Sequence, residues 1–416
     1  MKQVVVIGAG VVGLCTAYYA AQRGFKVTVI DRNTEDHANC SYGNAGMVVP
    51  SHFVPLAAPG AVALGLKWMF NPESPFWIKP RLDFELFDWA FKFWRASTAE
   101  NVRRAAPLLR DLHVASRNCF EEIAAGCANE FGLVTRGLLA LCKNAHTLEE
   151  EERGAEQARK LGIPAEVLDA QGLAKLEPNI RMDVAGAIYF PKDCHLTPNK
   201  FMARMKALVK EAGAKVMWET EARGVKREAQ HIRAVATNKG DIEADEFVLC
   251  GGSWSPVLAR EMELKLPLQA GKGYSLTLEN PPQLPEICAI LTEARIAVTP
   301  MGKSLRVGGT MEMAGLNEEI NPVRVRGITK AMPNYYPEFR PEHFANVQPW
   351  RGLRRVSRDG LPYLGRTARY KNVVIATGHA MMGLSLGPIS GKLAAEILSE
   401  ENPSINLNLL NPDRYA

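Results

Sequence analysis

The chain opens with a short apolar run, Val4 to Ile7, and then Gly8-Ala9-Gly10-Val11-Val12-Gly13. A helical stretch from Leu14 to Gln22 follows, stopped at Gly24, and a second apolar run, Lys26 to Ile30. Strand, glycine turn, helix and strand in that order predict one β-α-β unit. After Asp31 the pattern changes to a polar loop, Asn33 to Gly46, and then to a segment from Phe53 to Phe93 rich in Pro, Trp and Phe. A long helical pattern, Asn101 to Phe131, carries Leu108, Leu112, Ala115 and Phe120 at helix-like spacing. This whole stretch reads as an insertion.

The alternation then resumes. A strand, Gly137 to Cys142, leads to a charged helix, His146 to Leu161, and to a further strand, Ala185 to Phe190. Thr197-Pro198 starts a helix, Asn199 to Ala212, which ends at Gly213 before a strand, Lys215 to Trp218. Val225 to Ile242 reads as a small meander, and Phe247 to Cys250 as a buried strand ending at Gly251-Gly252. Alternating strands recur between Tyr274 and Gly309, and the last unit is Val373 to Thr377, Gly378-His379, and a helix from about Gly383 to Leu398. The pattern predicts two domains that the chain crosses more than once.

The first turn carries the most specific chemistry. Gly8 permits the tight turn, Gly10 lets the backbone approach a pyrophosphate, and Gly13 lets the helix pack on the strand, with Val11 and Val12 opening the helix. The N–H groups there attract phosphate charge. Asp31 stands about 20 residues on, where a carboxylate hydrogen-bonds a ribose diol and repels a 2′-phosphate, and Arg32 follows it. A dinucleotide is expected there.

Composition removes several classes. With 416 residues, 47% of them hydrophobic and 23% charged, the chain is long enough for two cores and ordinary for a globular enzyme. The net charge of +5, from 50 basic and 45 acidic residues, is spread along the chain, so no nucleic-acid partner is expected; the densest basic stretch is Arg351 to Arg358. Eight cysteines show neither a C-x-x-C pair nor metal-like spacing with histidine, so they read as free thiols of a reducing compartment and no metal is expected. No apolar run reaches the roughly 20 residues of a membrane span. No cleaved leader is read at the N-terminus, and the expected location is cytoplasmic, with contact on the inner face of the membrane left open.

The first turn, Cys40-Ser41-Tyr42-Gly43-Asn44-Ala45-Gly46, Pro55 to Gly60, Lys67-Trp68-Met69-Phe70, Lys272-Gly273-Tyr274-Ser275, and Trp350 to Gly365 with Gly378-His379 together resemble one family. It is that of the FAD-dependent D-amino acid oxidoreductases, within which the chain is most similar to the bacterial D-amino acid dehydrogenases. The resemblance runs through the whole chain. It implies an α/β fold: a Rossmann-like FAD-binding domain of the glutathione-reductase type, interleaved with an α+β substrate domain on a mixed, mainly antiparallel sheet. The expected division is 1–53, 195–268 and 350–416 for the cofactor, 54–194 and 269–349 for the substrate.

The resemblance also implies roles. Ser41, Asn44, Ala45 and Gly46 match the loop along the pyrophosphate and flavin, Ala222 the backbone that holds adenine, and Gly251 and Gly252 a close approach to the cofactor. Met381, Met382, Gly383, Leu384 and Ser385 match a stretch whose N–H groups and helix start face the flavin's pyrimidine end. Arg354 matches the arginine that binds the substrate carboxylate, a task suited to its two parallel N–H bonds. Tyr274 is either a pocket group or a packed core tyrosine. His379 either hydrogen-bonds the flavin or packs beside it, and His52 either lines the pocket or is solvated.

The activity implied is oxidative deamination of D-amino acids, with hydride passing from Cα to flavin N5 and electrons on to a quinone or other acceptor. Cyclic substrates such as D-proline or hydroxy-D-proline fit that reading. An O₂-using glycine or sarcosine-type oxidase and a non-catalytic flavin electron-transfer subunit remain as alternatives; the Arg354 motif speaks against the second. Related glycine oxidases carry a pocket tyrosine and an arginine where this chain has Ala297 and Met381, so a roomier, less polar pocket is expected. No cysteine follows Cys288, so FAD is expected to be noncovalent. The aromatic segment holding Trp68, Phe70, Phe76, Trp77, Phe84, Phe87, Trp89, Phe91, Phe93 and Trp94 is either core or a surface that meets a membrane or quinone.

Overall fold

The structure, a computed structural model, describes residues 1–415. Continuous apolar runs become central parallel strands because both of their faces are buried. Gln3–Ile7 lies between Lys26–Ile30 and Glu246–Leu249, and the full order is Tyr363–Arg366, Val373–Thr377, Glu246–Leu249, Gln3–Ile7, Lys26–Ile30, Lys215–Met217. Only the edge strand Tyr363–Arg366 runs antiparallel to its neighbour. On one face the helices Val11–Gln22, Pro198–Glu211 and Gly387–Leu398 pack together. The first and last approach closely because Gly391 has no Cβ, which would fall 2.5 Å from the Cys15 carbonyl carbon. The other face carries the meander Ala222–Glu228, His231–Thr237, Gly240–Glu243 and the helix Ser255–Glu261.

A second, nine-stranded sheet is mixed and mainly antiparallel. Its order is Trp350–Ser357, Leu268–Leu278, Ser304–Met313, Ile296–Met301, Cys288–Leu291, Leu138–Cys142, Gly186–Phe190, Glu166–Asp169, with Phe76–Ile78 beside Met311–Met313. Its far face is covered by Pro322–Ala331, Ala170–Leu176 and the Tyr335–Phe344 segment. Those two helices and the strand Glu166–Asp169 leave no clear periodic signal in the sequence. The long helix runs Ala99–Gly126, shorter than the pattern suggests, because Cys127 to Phe131 turns with Ala128 and Asn129 in left-handed conformations. No helix among the described residues is long and apolar enough to cross a membrane.

The aromatic segment is core along one stripe and exposed along the other. The helix Phe84–Ala96 buries Leu86, Trp89 and Phe93 against Met311, Met313 and Val356, with Trp89 Nε1 donating to the Val356 carbonyl at 3.1 Å. Its opposite stripe, Phe84, Phe87, Phe91 and Trp94, is exposed, as are Phe70 and Leu82 on the adjoining chain.

Candidate active site

A cleft of about 440 Å³ runs from the C-terminal ends of the parallel strands to the edge of the second sheet. Such a crevice is where open parallel sheets hold ligands. Gly8, Gly10, Val11, Val12, Asp31, Arg32 and Ala222 line one end, Ser41, Asn44, Gly251 and Gly252 the middle, and Arg354, Gly378, His379, Met381, Gly383 and Leu384 the other.

The glycine turn is sterically fixed. Gly8 has φ +110, and a Cβ there would lie 2.6 Å from the Cys250 carbonyl oxygen; one on Gly13 would lie 1.8 Å from the Gly8 oxygen. Gly10 faces the cleft, with only Ser41 Oγ near its missing Cβ, at 3.8 Å. Not every helix-start amide is left for a phosphate: the helix begins at Val11, and the Val11 N–H donates to Ser41 Oγ at 3.1 Å. Asp31 accepts from the Ala9 N–H at 2.8 Å and from Asn33 at 2.9 Å, so the turn itself aims the carboxylate, whose remaining lone pairs suit a diol. The Arg32 guanidinium lies over the Trp254 ring at 3.6 Å and closes that end.

The loop 41–46 is held by residues that sequence reasoning missed. Arg306 Nη1 donates to the carbonyls of Tyr42 and Asn44, both at 2.9 Å, and Nε donates to Thr277 Oγ1 at 3.0 Å. Asn44 Oδ1 accepts from the Gly46 N–H, and Gly46 takes φ +77 so that its backbone meets Leu196. Ala45 packs with Met47, Val49, Ala297 and Met382 in an apolar cluster. Gly13, Ala45, Gly46, Met382 and Ser385 thus shape the cleft from behind its lining.

At the other end the expected helix start is corrected. Ala380–Met382 forms a 3-10 turn and the helix begins only at Gly387, so Met381 to Ser385 present a turn rather than a helix N-terminus. Pro388 at the start of the helix explains this, since its fixed φ suits the first helical turn. Ser385 is pinned from the long helix: its Oγ lies 3.0 Å from His113 Nδ1 and accepts from the Val49 N–H, and its carbonyl accepts from Ser116. Burial drives the His113 pKa down to about 3, so this imidazole is neutral.

Arg354 comes from the strand Trp350–Ser357. Its guanidinium occupies the space over Gly273, where a Cβ would fall 2.1 Å from Cζ, and Nη1 donates to the Thr310 carbonyl at 2.9 Å. Thr310 sits at a register shift opposite Lys272 and Tyr274, with φ +60, a strained value for a β-branched residue. The bulge therefore turns a strand carbonyl toward the arginine. Arg354 is half-buried, and burial lowers its pKa, opposed by the nearby Cys40 thiol.

Tyr274 lies outside the cleft, on the far face of the sheet. Strand alternation turns its side chain away from Gly273, and its hydroxyl donates to Glu312 Oε2 at 2.5 Å within the core. His379 lines the cleft while its Nε2 pairs with Ser390 Oγ at 2.8 Å; burial lowers its pKa to about 4. His52 is half-buried outside the cleft lining, 3.1 Å from Ser51 Oγ, with its pKa lowered to about 4 by burial and by Arg295. Ser51 bonds Asp193, whose carboxyl burial pushes up to about 7.

These residues fit FAD: a glycine cradle, an Asp31 carboxylate with lone pairs left for a diol, a backbone-lined middle and a turn at the opposite end. The chain matches the FAD-dependent oxidoreductase (DAO) family over residues 3–397. It is 30% identical over 425 residues to a D-amino acid dehydrogenase of Bradyrhizobium diazoefficiens, covering 100% of this chain and 99% of the relative. A D-amino acid dehydrogenase of Paramagnetospirillum magneticum is 32% identical over 422 residues, covering 100% and 99%. Among solved structures, glycine oxidase from Geobacillus kaustophilus superimposes with a TM-score of 0.79 at 21% identity over 100% of both chains. L-Proline dehydrogenase from P. horikoshii does so with 0.74 at 18% identity, over 100% of this chain and 97% of that one. The cleft and the match along nearly the whole chain lead to one conclusion: the protein belongs to the FAD-dependent oxidoreductase family and uses FAD to oxidise its substrate.

Proposed function

We propose that the protein is a D-amino acid dehydrogenase, and that Arg354 receives the substrate's carboxylate at the end of the cleft opposite Asp31. One observation carries the reading. A half-buried arginine, held over a glycine and by a single carbonyl, keeps its other N–H groups for a planar anion. Bound FAD supplies the electron sink that no side chain provides. The parallel-sheet unit would hold that cofactor and the mixed-sheet unit the amino acid. The histidines around the site are neutral through burial, so Arg354 meets the carboxylate without a competing cation among them. Met381, which lines the same end of the cleft as Arg354, favours an apolar side chain, the ring of D-proline or a hydroxy-D-proline included. The names of the two dehydrogenase relatives support the same class.

The acceptor reading is a quinone reached from a membrane surface. The exposed stripe Phe84, Phe87, Phe91 and Trp94, with Phe70 and Leu82, supports peripheral contact there. The test is anaerobic mixing of the purified yellow protein with matched D- and L-amino acids, then admission of air. Bleaching by D-forms with slow return of colour is expected. Fast return with peroxide would replace the dehydrogenase by an oxidase, and no bleaching by any amino acid would end the reading.

A further inference from the structure

A second cavity, of about 680 Å³ and open to solvent, lies behind the loop 41–46. It is separated from the cofactor cleft by the Trp350 indole, which forms a wall of both. That ring is seated against two glycines: a Cβ on Gly43 would fall 1.9 Å from it and one on Gly352 2.1 Å. Its Nε1 donates to the Ala38 carbonyl at 3.2 Å, so the partition is fixed at both ends.

The floor of this cavity is Arg306, only 9% exposed. Three of its bonds go inward, two from Nη1 to the carbonyls of Tyr42 and Asn44 and one from Nε to Thr277. Nη2 donates to no group among the described residues and is not fully buried, and the residue lines the cavity. The negative charge that bears on Arg306 is Glu279, whose carboxylate accepts from Ser304 Oγ at 2.6 Å. Buried cations are ordinarily paired. Here the cation is buried, its hydrogen bonds are to neutral oxygens, and it lines a space whose rim also carries the amides of Asn346 and Gln348, the His343 ring and, held by Ser304, the Glu279 carboxylate.

We propose that this cavity is a second binding site, distinct from the cofactor cleft, for a small monocarboxylate whose charge pairs with Arg306 Nη2. The chemistry of Arg306 sets the class; that it includes the substrate and the 2-oxo acid product rests on the proposed function. Because the same guanidinium holds the carbonyls of Tyr42 and Asn44, occupancy reports directly to the loop beside the flavin.

The test is calorimetric titration of holoenzyme with pyruvate. Wild type is expected to bind two per chain, Arg354→Met one, and Asn346→Trp, which fills the second cavity, one. Flavin content, read from absorbance, confirms that each variant is folded. A wild type that binds a single pyruvate, lost in Arg354→Met and kept in Asn346→Trp, would overturn the proposal. So would a second pyruvate that persists in both Asn346→Trp and Gln348→Trp. The titration reads no redox step, so failure of the D-amino acid reading, seen as unbleached flavin, is a separate result.

Discussion

Two arginines flank Trp350, and they are used in opposite ways. Arg354 gives one N–H to the protein, at Thr310, and turns the rest to the cleft. Arg306 gives three hydrogen bonds to the protein and keeps one amino group for its cavity. On the proposed function the first binds substrate, whereas the second holds the loop 41–46. The difference shows that burial of a guanidinium says little about its task; the count of bonds it returns to the backbone says more.

The strongest way to break this contrast is to remove each arginine. Arg306→Met leaves the carbonyls of Tyr42 and Asn44 without their donor, and a buried unsatisfied acceptor costs about 1–3 kcal/mol each. Arg306→Met is therefore expected to lose most of its FAD on gel filtration, whereas Arg354→Met stays yellow. Equal retention by both would erase the distinction. A smaller effect is expected from Gly273→Ala, whose methyl group must push the Arg354 guanidinium aside. Its KM should rise on the order of 10- to 100-fold with flavin content unchanged, as misplacement of a binding group implies.

Asp193 separates architecture from binding in a different way. It is fully buried, and its carboxyl, near 7, lies above the roughly 3.9 of an unfolded chain. The folded state therefore holds a proton that the unfolded state has lost, and stability falls as pH rises from about 4 to about 7. Asp193→Asn should gain on wild type across that window, by on the order of 1–4 kcal/mol at its upper end, read as Tm against pH. The histidines act oppositely: half-buried His52 and buried His195 and His379, near 4, and buried His113, near 3, cost stability as pH drops below their ordinary value. A Tm difference between variant and wild type that does not change with pH would show that Asp193 is ionised throughout. The smallest effect is expected at Thr310. Thr310→Gly keeps the carbonyl that meets Arg354 and relieves a φ that costs a threonine roughly 1–3 kcal/mol. KM should stay within about twofold and Tm should hold or rise; a large KM increase would assign the site to the threonine side chain rather than to the bulge.

What was legible in the sequence follows the range of the interactions. Gly13 and Asp31 act within one β-α-β unit, where spacing alone fixes geometry, and the parallel strands announce themselves by unbroken apolar runs. Arg354 was reached through resemblance, because nothing in Arg351 to Arg358 tells a binding arginine from a solvated one. Tyr274 and the start of the last helix depend on which face of a strand turns inward and on where Pro388 allows the helix to begin. Arg306, Trp350, His113 and Thr310 meet their partners from distant parts of the chain, so no local pattern marks them.

The proposed function requires one cleft that holds FAD and ends at an arginine that binds a carboxylate. The direct measurement is the rate of anaerobic flavin bleaching against concentration, for a D-amino acid and for its amine lacking the carboxylate, in wild type and Arg354→Met. Wild type should prefer the acid, and the variant should lose that preference through a rise in KM on the order of 10²–10³, roughly 3–4 kcal/mol. An Arg354→Met protein that discriminates as well as wild type would contradict the account.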